Sequence, residues 1–436
     1  MTHTYDWLVI GGGLTGAALG YELQKAGLSV AIVEPQPLLK PLSQPLLGAD
    51  LTTATPGQPS AKIRPSATRA SYGGIPYWAA SDRMIAEIFG HSWQRYGELA
   101  TELTRPQLND LELRTLDLLL TVGEGEAVPD VFSYDIDDGA KTKLPWLSRA
   151  EVIDFEPALA QASPAVLRGA LHAKHGHINP IKLVQGYLQG LQRLGGTIIP
   201  ATVTALKRDG CRVVGVETDQ GNFYGMDLAV CSGGWSRRLL QESRLPSLAD
   251  CIYFTHAEVL ELWPLPSVIQ PQAMIMPAIT NRFAIETTAS TSSQDVHWQA
   301  ANHEFLPPSI DIGAIPFQDG KLRIGQVSRV HSNSDLVIDQ SQSEGMIRQG
   351  MMALLPQLSE LHGNWYHTLV SFSRDSLPLV GALPEPQNVH LFTGFTTPFA
   401  YVPALAVNFA NYVVNDAPSA PIQAMMQAFS PHRFIA

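Results

Sequence analysis

The sequence predicts an α/β protein of two interleaved units, one built on a parallel sheet and one on a mostly antiparallel sheet. Three observations predict it. The chain opens on a strand–helix–strand pattern punctuated by glycine. Short β-rich runs separated by Asp209-Gly210 and Gln220-Gly221-Asn222 turns follow in mid-chain, and Asp250 to Val330 is rich in β-branched and aromatic residues around a turn at Asp319-Gly320. The 436 residues allow two to three domains. A charged share of 16% with 45% hydrophobic residues excludes a disordered chain, and a net charge of −11 without clustered Lys and Arg excludes phosphate-directed nucleic-acid binding.

Trp7 to Ile10 read as a buried parallel strand, Leu19, Leu23 and Ala26 follow at helical spacing, Gly27 ends the helix, and Val30, Ile32 and Val33 begin the next strand. Within this βαβ unit Gly11, Gly13 and Gly16 occupy the GxGxxG positions: a tight turn, a close approach to a pyrophosphate, and close helix–strand packing. The helix start at Leu14 and Thr15 offers its N–H groups and positive dipole end to the diphosphate. Glu34 closes the second strand, where a carboxylate accepts ribose hydroxyls and repels a 2′-phosphate. The first unit is therefore a Rossmann-type dinucleotide-binding domain, and NAD and FAD share these rules.

Further along, a helix over Ile181 to Leu194 ends at Gly195-Gly196. Thr197 to Leu206, Arg212 to Thr218 and Leu228 to Ser232 make a hairpin and a strand returning to the first sheet. Asp250 to Val330 forms the core of the second domain, Ser343 to Leu355 a helix leading back, and about Val402 to Val414 a further helix. These readings divide the chain into 1–80, 150–240 and 345–436 for the first domain and 81–149 and 241–344 for the second.

Four further segments carry a family likeness. They are Ala70-Ser-Tyr-Gly-Gly-Ile75; Gly169-Ala-Leu with Gly176-His-Ile-Asn-Pro180; the strands from Thr202 to Leu228-Ala-Val-Cys-Ser-Gly-Gly-Trp235; and Arg374-Asp-Ser-Leu-Pro-Leu-Val-Gly381 with Leu391-Phe-Thr-Gly-Phe395. With the fingerprint, the series resembles the D-amino-acid oxidase, glycine oxidase and sarcosine oxidase family of flavoproteins across nearly the whole chain. The resemblance implies an FAD-binding domain interleaved with a β-sheet substrate domain. It implies Ser71, Gly73 and Gly74 beside the flavin ring, cofactor contacts at Val203, Gly233 and Gly234, and a C-terminal motif with Gly381, Gly394, Phe395 and Thr396. It also implies hydride transfer from a carbon bearing nitrogen in a small amine or amino acid, with oxygen or another acceptor reoxidising the flavin. Tyr253, His256 and Arg329 are the residues expected to face the substrate.

The sequence departs from the family in three places. Pro35 to Thr68 holds seven prolines and little periodicity, an irregular insertion. The arginines that hold a substrate carboxylate in glycine oxidase have no counterpart in Leu369-Val-Ser-Phe-Ser373 or Thr396-Thr-Pro-Phe-Ala400. Arg374 reads as a loop ion pair beside Asp375, and Arg323 as a strand arginine within reach of a cavity. Thr396-Thr397-Pro398 replaces flexible glycines. The cysteine that attaches flavin in sarcosine oxidases would fall near Thr368, and no cysteine follows Cys251, so FAD is expected to be noncovalent.

Other readings are set aside on composition. Cys211, Cys231 and Cys251 are too few and too spread for a disulfide framework or a cysteine zinc site, which suggests a cytoplasmic location. No transmembrane segment or signal-like start is evident. His172, His175 and His177 read as loop histidines, and no metal is expected. GxSxG, HExxH and Walker motifs do not occur. Two rivals remain: a dehydrogenase of a hydroxy acid passing electrons to a non-oxygen acceptor, and a flavin-binding protein without turnover.

Overall fold

The computed structural model describes residues 4–38, 66–104, 110–135, 139–210, 212–245, 249–263, 265 and 270–434. Most of the proline-rich insertion, residues 39–65, and Cys211 lie outside the described residues. Thr4–Ile10, Val30–Val33 and Thr197–Ile199 run parallel in an eight-stranded sheet, with Gly221–Val230 parallel on the other side of the first strand. Val30–Val33 is buried on both faces, as its unbroken apolar run requires. The strands Val203–Asp209 and Arg212–Thr218 extend the sheet as an antiparallel hairpin, and Val389–Thr393, paired with Leu379–Ala382, joins it beside Gly221–Val230.

The second sheet has nine strands. In order they are Gly363–Ser373, Ile252–Leu262, Leu322–Arg329, Ser309–Pro316, Met274–Pro277, Arg114–Val122, Gly169–His177 and Gly74–Ile75, with Trp146–Ser148 also on Gly169–His177. Every pairing is antiparallel except Met274–Pro277 on Arg114–Val122. The mostly antiparallel expectation therefore describes this sheet, but sheet membership departs from the sequence boundaries. Gly74–Ile75, Gly169–His177 and Gly363–Ser373, placed in the first domain by their order in the chain, run in the second sheet. Conversely, helix Arg83–Glu102, placed in the second, packs on the first domain. Its stripe Ile85, Phe89, Ser92, Tyr96 and Leu99 is buried at helical spacing against helix Pro398–Val414.

Followed by helix Ala420–Phe429, the helix expected over Val402 to Val414 begins one turn earlier, because Pro398 opens it, a position where the missing N–H is no loss. Pro403 inside it cannot donate to the carbonyl of Phe399. Tyr96 Oη donates to that carbonyl instead at 2.9 Å, and Ser92 Oγ accepts the Ala404 N–H at 3.2 Å. The cradle helix Leu14–Lys25 is fixed by the same neighbour, through a buried Arg95–Glu22 pair at 2.7 Å.

Candidate cofactor and substrate site

A Cβ at Gly16 would lie 1.9 Å from the carbonyl oxygen of Gly11, so only glycine lets the helix start directly on the turn. Gly11 N–H donates to Val33 O at 2.9 Å, Gly13 is the N-cap of helix Leu14–Lys25, and Thr15 Oγ1 donates to Cys231 O at 3.2 Å. The first turn of the helix carries no acidic residue. Glu34 Oε2 accepts the Gly12 N–H at 2.8 Å, which holds the carboxylate beside the turn. A backbone cradle that side chains would fill, under a helix N-terminus free of acid, fits a dinucleotide diphosphate with Glu34 at its ribose.

Residues 68–75 tie this cradle to the second sheet. Thr68 Oγ1 accepts the Leu14 N–H at 3.0 Å. The carbonyl of Ser71 accepts from Arg323, and Gly74–Ile75 pairs with His177 and Gly176. Gly73 lies between, at φ +72°, where a Cβ would sit 2.0 Å from Ile178 O. Strand Gly363–Ser373 makes the second connection. Leu369 would lie 2.4 Å from a Cβ at Gly234, beside Gly233, and Ser371 Oγ accepts the Gly394 N–H at 3.2 Å. Phe395 is buried in the first core, Thr396 Oγ1 donates to Ser376 O at 3.1 Å, Gly381 lies in Leu379–Ala382, and Val203 starts its strand opposite Thr218. Ser71, Gly73 and Gly74, with Gly234 and Gly394, therefore lie at the seam where segments of the two sheets meet, whereas Val203 and Gly381 lie within strands of the first sheet.

Tyr253, His256 and Arg329 are not brought to that seam together. His256 is fully buried on the sheet face covered by helix Gln340–Leu354, with Nδ1 2.9 Å from His367 Nε2 and Nε2 3.0 Å from Asn333 O. Burial lowers its pKa to about 3 and that of His367 to about 4. Arg329, opposite it in register, pairs with buried Glu258 at 2.8 Å and reaches Ser343 on the same helix. Tyr253 packs among Phe254, Trp298 and Phe372, and its hydroxyl donates to Asp295 at 2.8 Å while accepting from Arg374 at 2.7 Å. Strand alternation misled here: polar residues on a strand buried on both faces satisfy one another within the core.

Arg374 pairs with Asp295 at 2.5 Å, and its neighbour Asp375 pairs with Arg433 at 2.8 Å, so the loop ion pair expected between them is two separate ones. His172, His175 and His177, expected in a loop, lie on strand Gly169–His177: His172 meets Asp117 at 2.7 Å, His175 accepts from Trp78 at 3.2 Å and His177 packs edge-on to Phe317. Their pairings differ, and no metal-ligand cluster of three occurs among the described residues.

The residues that do face the segment 70–75 were mostly missed. Arg323, stacked over Phe317 at 4.7 Å, is buried and paired with Glu261, whose other oxygen accepts from Tyr366 at 3.4 Å. Burial raises the Tyr366 phenol to about 12. Arg69, half-buried, lies within electrostatic reach of both Glu34 and Tyr366. The one sequence signal was Arg323 between the apolar neighbours Leu322 and Ile324, a pattern of burial rather than of exposed alternation.

A diphosphate cradle joined through a glycine-bearing segment to a substrate-side sheet defines a dinucleotide-dependent oxidoreductase. The profile of the DAO family, described as FAD dependent oxidoreductase, matches residues 6–411, and the chain belongs to that family. FAD is its cofactor. Glycine oxidase of Geobacillus kaustophilus is 25% identical over 303 residues, 68% of this chain and 73% of its own. The bifunctional protein ThiO/ThiG of Synechocystis is 25% identical over 69% of this chain, which spans 40% of that protein. Solved structures share the fold: glycine oxidase from Geobacillus kaustophilus at TM-score 0.68, 18% identity and full coverage of both chains, and L-proline dehydrogenase from P. horikoshii at TM-score 0.68, 12% identity and coverage of 100% and 98%.

Proposed function

We propose that this FAD-dependent enzyme oxidises a C–N bond of a small amine or amino acid, with the substrate held between the seam and the ring-side face of the second sheet. FAD supplies the acceptor for a hydride from the carbon bearing nitrogen. The observation that carries the reading is the bridge at residues 68–75, bonded to the cradle helix through Thr68 and to the substrate-side sheet through Arg323. It presents Ser71, Gly73 and Gly74 where a ring joined to the cradle would meet a substrate on the sheet.

The chain's own work is binding, orientation and exclusion of water. Thr68, Glu34 and the glycines hold the dinucleotide, and the Arg323–Glu261 pair fixes the Ser71 carbonyl. The buried face keeps water from the reacting carbon. The substrate enters as the neutral amine, loses a hydride from carbon and a proton from nitrogen, and leaves as an imine that water hydrolyses. Thr368 lies where a covalent attachment would need a cysteine, which favours noncovalent FAD, releasable by denaturation. Purified protein mixed anaerobically with a panel of amines and amino acids tests the reading. Loss of the oxidised flavin band with an amine, and peroxide on admitting air, is the predicted result. Bleaching by hydroxy acids alone would favour the dehydrogenase, and reduction by amines without peroxide would assign another acceptor.

A further inference from the structure

Strand Met274–Pro277 brings a thioether to the segment 70–75. Met274 is fully buried, and its Cε methyl lies 3.2 Å from where a Cβ would stand on Gly74, the residue expected beside the flavin ring. It packs in a cluster with Leu118, Leu171, Ile315 and Phe317, which keeps bulk solvent from the sulfur. Met276, two residues on, sets its Cγ 3.3 Å from a Cβ at Gly313 on the next strand instead.

A ring nitrogen meets the same point. His175 Nε2 lies 2.9 Å from the Cβ position of Gly74. Its Nδ1 accepts from the Trp78 indole N–H at 3.2 Å, which leaves the ring proton on Nε2. Burial lowers its pKa to about 4, so at pH 7 the imidazole is a neutral donor. A nucleophilic sulfur and an N–H donor thus converge on one glycine. Tyr72 packs against the same cluster, and its buried hydroxyl has no hydrogen-bond partner among the described residues.

We infer that Met274 is a self-oxidation site, converted to methionine sulfoxide by peroxide formed inside the enzyme, and that this limits the number of cycles each molecule completes. The inference rests on the oxygen-using form of the proposed function, with Gly74 beside the ring. In the step, a sulfur lone pair attacks one oxygen of hydrogen peroxide and the O–O bond breaks. The other oxygen, held by His175 Nε2–H, leaves as water with both protons; sulfur is oxidised by two electrons and peroxide is reduced by two. The product places a polar S=O in an apolar cluster, where the Tyr72 hydroxyl is an open donor to it. Exposure alone would choose other methionines. Met352 is 61% exposed and Met226 53%, so peroxide arriving from solution meets them first, whereas peroxide born at the ring meets Met274 first.

The test needs no substrate. The holoenzyme is bleached anaerobically with stoichiometric dithionite, reoxidised in air with catalase present, and cycled, and sulfoxide at each methionine is read from peptide fragment masses. The prediction is oxygen gained at Met274 in step with cycle number while Met276, Met226 and Met352 stay reduced. Peroxide added to the resting oxidised enzyme should reverse that order. Met274→Leu, a swap of similar volume, should keep its flavin and complete about threefold more cycles before bleaching amplitude is lost. Met274 still reduced after cycling, a flavin that air does not reoxidise, or oxidation of Met274 by added peroxide as fast as that of Met352 would overturn the inference. Sulfoxide at Met274 together with no bleaching by any amine would uphold this site and sink the proposed reaction. Bleaching by an amine and peroxide in air, with Met274 unoxidised, would do the converse.

Discussion

The two faces of the substrate-side sheet both bury polar groups and pair them differently. On the face under helix Gln340–Leu354, His256 meets His367 and Asn333, and Arg329 meets one oxygen of Glu258, leaving the other oxygen and the Trp365 indole N–H open among the described residues. On the ring-side face, Arg323 and Arg282 each have one nitrogen committed to an acid and another left open, and the Tyr72 hydroxyl is open as well. The strands are shared, so strand composition does not set the difference. What sets it is the covering layer: a long helix packed tight on one side, and a short helix and a loop on the other. Buried polar residues thus point to a site where several open donors gather on one face, not wherever a single group is left open.

Four perturbations break or sharpen that contrast. The largest effect belongs to Gly16→Val, which removes the cradle that gives the ring-side face its purpose. With a Cβ 1.9 Å from Gly11 O, the variant should purify with essentially no flavin, measured as absorbance per mole of protein. Next, Arg323→Met strands the buried Glu261 carboxylate and releases Ser71. Breaking such a pair costs about 3–5 kcal/mol, and chemical denaturation should show most of it recovered in the Arg323→Met, Glu261→Met double variant.

The helix-covered face responds to acid instead. His256 has its folded-state pKa lowered to about 3 from an ordinary 6.5, so its contribution is present above pH 6.5 and is lost as pH falls toward 3. By pH 5 the loss is about 2 kcal/mol, and His256→Asn should flatten that part of the stability profile measured by urea unfolding. Smallest is His172→Asn. Its part-buried pair with Asp117 is worth about 1 kcal/mol, and flavin spectrum and metal content should not change.

The cofactor end of the molecule was legible because its constraints are backbone constraints. Gly11, Gly13 and Gly16 are required by close approach, and Glu34 by its place at a strand end, so a local pattern carries them. The antiparallel sheet was legible from β-branched and aromatic runs. Its membership was not, since Gly363–Ser373 and Gly169–His177 are contributed by segments that the chain order joins to the other domain. The substrate side was least legible. Arg282 stands in Thr280-Asn-Arg-Phe, indistinguishable from a surface helix, and gains meaning only when Asp311 arrives from the strand Ser309–Pro316 to meet its backbone N–H, with Glu286 one turn on holding its Nε. His256 and Arg329 failed for the complementary reason: their partners across the sheet are invisible to a local reading.

The central claim is that the cradle and the seam form one oxidising site for an amine. It is tested most directly by anaerobic titration of the purified holoenzyme with small amines and amino acids, followed by absorption of the oxidised flavin. The account predicts that at least one amine abolishes that band and yields the matching carbonyl product with ammonia or a shorter amine. A protein that stays colourless with added FAD, or whose oxidised band survives every amine and amino acid, would contradict it.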